Sequence, residues 1–149
     1  MSLRVGVGIT ACLSIALVLA ACGGGTLYST GAASSSLARD DAYTCAQQQL
    51  KSMGYKQIVH DDEARRVMGQ KNDSTYRESN VKFRRHYDQI ELQAATGTTL
   101  GSDLTVRAST FDEYQTERGI TTVEAHATST VRTDAATLME RCKEAPAGM

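Results

Sequence analysis

Two periods of apolar residues run through most of this chain, and they follow an opening stretch with no period at all. Val5 to Ala21 is uncharged throughout, and the segment from Gly23 to Ser36 is Gly- and Ser-rich without apolar repetition. From Leu37 a helical period begins. Ala42, Cys45, Ala46, Gln49, Leu50 and Met53 share one face, and Gln49 is its only polar member. Asp40 and Asp41 suit the positive end of that helix's dipole, and Gly54 can take the left-handed stop. The pattern predicts a helix over Arg39–Met53.

A two-residue period follows. Tyr55–His60 centres on Ile58 and Val59, and Ala64–Lys71 on Val67 and Met68, with Asp61-Asp62-Glu63 as a tight hairpin connection. In Asp88–Ala95, residues Ile90, Leu92 and Ala94 point one way and Gln89, Glu91 and Gln93 the other. Leu104, Val106 and Ala108 alternate with Thr105, Arg107 and Ser109; Val123, Ala125 and Ala127 alternate with Glu124, His126 and Thr128. Gly97, Gly101 and Gly119 mark turns. Such alternation belongs to a sheet with one covered and one wet face. The helical period then returns at Val131, Ala135, Leu138, Met139 and Cys142, with Arg141 and Lys143 at the C-terminal end and Pro146 beyond. The expected fold class is α+β: an N-terminal helix, an antiparallel meander of four to five strands, and a C-terminal helix, with both helices on one face.

The charge-free run carries an address. Arg4 precedes it, and small Ala20 and Ala21 close it, the order of a secretory signal. It ends in Leu19-Ala20-Ala21-Cys22, which resembles the lipobox of bacterial lipoproteins. That resemblance implies cleavage between Ala21 and Cys22, a diacylglyceryl thioether on Cys22, and anchoring in the membrane by several acyl chains. Gly23, rather than Asp, after the lipidated cysteine implies the outer membrane, facing the periplasm. The competing reading is an uncleaved transmembrane helix, weakened by Gly6, Gly8, Thr10 and Ser14 in a run at the short limit for spanning. The expected organisation is a signal peptide over 1–21, lipidated Cys22 with a flexible linker over 22–37, an α+β periplasmic domain over 38–145, and a tail over 146–149. No meaning attaches to Tyr28, the linker's aromatic residue.

The aromatic content is thin: no Trp, 2 Phe and 6 Tyr. A small domain with few large core residues commonly needs a staple. With Cys12 leaving in the signal and Cys22 taken by lipid, the lipoprotein resemblance leaves Cys45 and Cys142 as a candidate disulfide in an oxidising compartment; the alternative is two unpaired buried thiols. A second resemblance rests on Cys45–Lys71, CAQQQLKSMGYKQIVHDDEARRVMGQK, and on DLTVRASTF before a terminal helix. Their order is similar to the helix-grip domains of a lipoprotein in the outer-membrane β-barrel assembly machinery. It implies a helix-grip-like fold and transfers no functional residue; this chain has one such domain where that family has two.

With a net charge of −1, bulk charge steers the chain towards neither nucleic acid nor anionic membrane. His60, His86 and His126 fit no metal-ligand spacing, and no nucleophile elbow, Walker loop, dinucleotide glycine pattern or EF-hand is present, so neither metal nor cofactor is implied. His60-Asp61-Asp62-Glu63 reads as a solvated acidic turn. The most distinctive stretch is YRESNVKFRRHYD, where Arg77, Lys82, Arg84 and Arg85 interleave with Phe83 and Tyr87. It is either a solvated strand end with Phe83 turned inward or a patch for phosphate headgroups, acidic glycans or an acidic protein face. His86 is expected at the surface. The expected function is a non-enzymatic envelope lipoprotein that works as an accessory or interaction module in envelope assembly. The alternative is a carrier of a lipid or small ligand, with its cavity between sheet and helices. The partners would be the membrane, through the N-terminal lipid, and an envelope protein or lipid, but not nucleic acid.

Overall fold

A computed structural model describes residues 26–98 and 100–144. The signal segment, the lipobox with Cys22 and the tail over 146–149 lie outside the described residues. The elements run β1 (Ser29–Ser35), α1 (Arg39–Ser52), β2 (Lys56–Asp61), β3 (Arg66–Asp73), β4 (Phe83–Thr96), β5 (Ser102–Thr116), β6 (Gly119–Ala125) and α2 (Ser129–Lys143). All strand pairs are antiparallel. β2 to β6 form a meander in sequence order, and β1 adds to β5. The fold is α+β, as the alternation implied, and helix-grip-like, as the second resemblance implied.

Both helices cover one face of the sheet. Ala42, Tyr43, Ala46 and Leu50 of α1 meet Val131, Ala135, Leu138, Met139 and Cys142 of α2 over Val67, Ile90, Leu92, Ala94, Leu104, Val106 and Ala108. Leu50, Ile90, Leu92, Leu104 and Leu138 are fully buried, each stabilising by about 1.5–3 kcal/mol. The α2 face is the one its period predicts. In α1, Tyr43 joins the core from outside the predicted stripe, while Cys45 and Met53 sit at its margin. Its hydroxyl explains this position: it reaches past the core edge to donate to Asp62 Oδ1 at 2.8 Å. The helix stops as predicted. Gly54 takes φ +84°, its N–H bonds the Lys51 carbonyl, and the Tyr55 N–H bonds the Leu50 carbonyl.

The expected flexible linker over 22–37 is corrected by β1. Ser29 to Ser35 pair with Ala108 to Ser102, while β6 takes the second half of the same β5 edge, from Thr110↔Ala125 to Thr116↔Gly119. β1 and β6 thus lie end to end, joined by the Ala127 N–H bonding the Leu27 carbonyl at 2.6 Å. Small residues conceal the strand from pattern reading, but they suit its place. A Cβ at Gly31 would lie 3.2 Å from Val106 Cγ1, and one at Gly101 only 1.9 Å from the Ser35 carbonyl oxygen. The buried Ser35 hydroxyl donates to the Cys142 and Lys143 carbonyls (2.7 and 3.0 Å), and the Ser36 N–H adds to Lys143. Carbonyls left over at the α2 C-terminus are satisfied in this way.

The strands also run further than their apolar alternation. β4 begins at Phe83 instead of Asp88, and β5 continues to Thr116. Val123 is exposed instead of inward, because α2 starts at Ser129 and does not reach over the β6 midpoint. No helix among the described residues is long and apolar enough to cross a membrane.

Candidate interaction site

The basic-aromatic stretch occupies this uncovered end of the sheet, and a β-bulge divides it. Phe83 pairs with Tyr114, but Arg85 pairs with Glu113, so the register shifts across Arg84. Phe83 and Tyr87 share a parity in the sequence, yet the shift places them on opposite faces. The patch expected from Arg77, Lys82, Phe83, Arg84, Arg85 and Tyr87 is therefore not one surface.

On the helix-side face, Phe83 packs edge-on to Tyr114 (6.0 Å) and against Tyr76 (5.6 Å), and the Tyr76 ring stacks on His86 at 4.0 Å. His86 is buried, not at the surface. Its Nδ1 lies 2.7 Å from Asp112 Oδ1. The connecting loop is pinned over this cluster. Asp73 Oδ1 accepts from the Thr75 hydroxyl and amide, and the Tyr114 hydroxyl donates to Glu78 at 2.7 Å. The hydrogen bond to Glu78 pushes the Tyr114 phenol up to about 12. The Asp112 charge, and then burial, raise Tyr76, while the bond from Thr75 lowers Asp73.

On the open face, the Arg85 guanidinium lies 4.7 Å over the Tyr87 ring, which stacks on Phe111 at 5.4 Å. Arg85 pairs with Glu113 at 2.8 Å, and Arg84 bonds Gln115 Oε1 at 2.8 Å. Arg77 is spent on the Ser74 and Tyr76 carbonyls. Lys82 and Arg84 are exposed beside Val81, which is almost wholly in solvent.

Between this end and the core sits a polar node. Asp88 is buried at the N-terminus of α2. It accepts from the Thr110 hydroxyl (2.7 Å) and from the Thr128 hydroxyl, which is 3.0 Å from both carboxylate oxygens. Thr128 caps α2 by accepting the Val131 N–H at 3.1 Å. The place an external anion would take at this helix end is filled by Asp88 itself. Nearby, the Tyr55 hydroxyl donates to Asp134 at 3.0 Å; burial, then the Asp134 charge, pushes the phenol well above its usual range. Two signals pointed to the node. Asp88 shares the parity of apolar Ile90, Leu92 and Ala94, and Thr128 stands just before a helical period.

The acidic turn is internally satisfied. Asp61 Oδ1 accepts the Ala64 N–H, and Arg65, at φ +50°, bonds the Asp62 carbonyl and pairs with Asp40 at 2.6 Å. Among the described residues no cluster of three or more His, Cys, Asp or Glu side chains could hold a metal ion. Cys142, near the C-terminal end of α2, is joined as a disulfide to Cys45 in the middle of α1, with Cα atoms 5.8 Å apart. Cys22 lies outside the described residues.

Fold and staple together define the class: a small antiparallel α+β domain, helix-grip-like, whose two helices are tied by a disulfide. No protein-family model matches the chain, and no curated protein matches it.

Proposed function

We propose that this protein is a lipid-anchored cell-envelope lipoprotein, held at the outer membrane on the periplasmic side through acylated Cys22. Its domain serves as a non-enzymatic interaction module in envelope assembly. The observation that carries this reading is Leu19-Ala20-Ala21-Cys22 at the end of a charge-free run. The Cys45–Cys142 bond supports it, because structural disulfides persist in oxidising compartments. The contact surface is the uncovered sheet end, where exposed Lys82 and Arg84 follow exposed Val81 and suit an acidic face of an envelope protein.

The charged lining of the spaces between sheet and α2 favours an interaction module over a carrier of lipid or small ligand. A carrier needs an apolar cavity of about 300 Å³ or more. Two spaces lie between sheet and α2: a groove of about 230 Å³ lined by Ala33, Val106, Ala135 and Met139 but also by Arg132, Glu140 and Lys143, and one of about 310 Å³ at the α2 N-terminus lined by Lys71, Asp73, Asp88 and Thr128; charged side chains line both. Crosslinking in the native envelope, with mass spectrometry of the adducts, tests the module. The expected adduct is a protein joined through Lys82. Recovery of lipid alone sinks the reading. Labelling with a fatty acid tests the anchor: Cys22→Ser should abolish the label, and persistent label refutes the lipobox.

A further inference from the structure

We infer that the sheet edge where β1 meets β6 is the membrane-facing surface of the domain, and that it contacts anionic phospholipid headgroups. This rests on Cys22 being the lipid anchor. The reason is reach. A flexible linker to residue 37 would let the domain turn freely, but Ser29–Ser35 are built into the sheet. Only four residue steps separate Cys22 from Thr26, the first described residue, and at full extension they span about 14 Å. The sheet edge beside Thr26 is thereby confined close to the bilayer, and a less than fully extended segment brings it within the Debye length of about 8–10 Å over which exposed charges still interact.

The chemistry at that edge fits a headgroup layer. Thr26, Leu27, Tyr28, His126, Ala127 and Arg132 line most of an open cleft of about 650 Å³, and its lining contains no carboxylate. Leu27 and Tyr28 are each 37% exposed. Arg132 is exposed, and its Nε donates to the Thr128 carbonyl at 3.3 Å. Its terminal nitrogens have no hydrogen-bond partner among the described residues and can fork onto a phosphate. Tyr28 is a ring with a polar tip, the kind of side chain that settles at a membrane interface. It is held from the open face by Arg107, whose guanidinium lies 4.1 Å over the ring and pairs with Glu124 at 3.1 Å. One cation and two amphipathic or apolar side chains make a weak contact, but tethering through a short segment raises the effective concentration to about the millimolar range.

The chain has no Trp, so Tyr28→Trp places a single reporter at this edge. The lipidated mature protein carrying Tyr28→Trp would be reconstituted in vesicles of phosphatidylethanolamine and phosphatidylglycerol containing acyl-brominated lipid. Leu100→Trp, in the β4–β5 loop beside the far end of β1, is the reference. The expected result is blue-shifted emission and at least twofold stronger quenching at position 28 than at position 100. Adding Arg132→Glu, or replacing phosphatidylglycerol by phosphatidylcholine, should remove at least half of that quenching. A protein that floats with the vesicles but shows equal quenching at both positions overturns this surface and leaves the anchor standing. Quenching insensitive to both changes overturns the headgroup contact. A protein that neither floats nor carries lipid on Cys22 overturns the anchor and this orientation with it.

Discussion

Asp88→Asn should destabilise the domain by about 2 kcal/mol, although it changes one atom. The carboxylate accepts from two hydroxyls, Thr110 at 2.7 Å and Thr128 at 3.0 Å, at the start of α2. Hydrogen bonds to a charged group contribute about 1.5–3 kcal/mol each. An Asn can keep one of them through its oxygen. Its amide would then have to donate to the Thr128 hydroxyl, which already accepts the Val131 N–H. Loss of the negative charge at the helix N-terminus removes a further 0.3–1 kcal/mol, roughly, and the lower cost of burying a neutral amide offsets part of the total. The assay is urea unfolding at neutral pH, followed by circular dichroism. With a slope of about 2 kcal/mol/M the midpoint should fall by about 1 M. Thr128→Ala should cost about 1 kcal/mol alone, and the double variant should lose at least about 0.5 kcal/mol less than the sum, because both act through one node. An unchanged or raised midpoint for Asp88→Asn would refute the claim that a carboxylate anchors α2, and strict additivity would refute the shared node.

Other outcomes follow from the same structure. Replacing both Cys45 and Cys142 by Ala opens a loop of 97 residues' separation and should cost about 4.7 kcal/mol on the chain-entropy relation, a large part of the 5–15 kcal/mol, roughly, that such domains possess. Reductant should reproduce the loss, and an unchanged melting temperature in reductant would contradict it. Gly101→Ala should cost about 1–3 kcal/mol, since the new methyl would lie 1.9 Å from the Ser35 carbonyl oxygen; amide exchange at Ser35 and Ser36 should quicken, and unaltered exchange there argues against β1 seating on that turn. Absorbance titration of phenolate should find Tyr114 ionising at about 12, above the ordinary 10.0. Because the folded value is raised, its contribution to stability is complete below pH 10 and lost as pH climbs through 12. Glu78→Gln should bring that ionisation down towards 10, and no movement would show that Glu78 is not its cause.

Much of the fold was legible in the sequence wherever burial is one-sided. The α2 stripe, the Gly54 stop, the turns at Gly97, Gly101 and Gly119, and the alternating cores of β4 and β5 all announce themselves. Each requires apolar residues at fixed spacing, a left-handed backbone (Gly54, Gly119) or a close backbone approach that a side chain would block (Gly97, Gly101). The basic-aromatic stretch was visible as chemistry, but its geometry was not. One bulge at Arg84 changes the face of Phe83, and a period of two cannot register an inserted residue.

Taken alone, the sequence determined the class, the α2 face, the candidate lipobox and the pair of cysteines available to each other. Tertiary structure alone decided that Ser29–Ser35 form a strand, that His86 is buried against Asp112, and that Asp88 holds the start of α2. The physical reason is common to all three. Their stabilisation comes from hydrogen bonds and close approach to partners far along the chain, such as Ser35 with Cys142 or Asp88 with Thr128. Local patterns report which side of an element avoids water; they do not report which distant polar group will meet it.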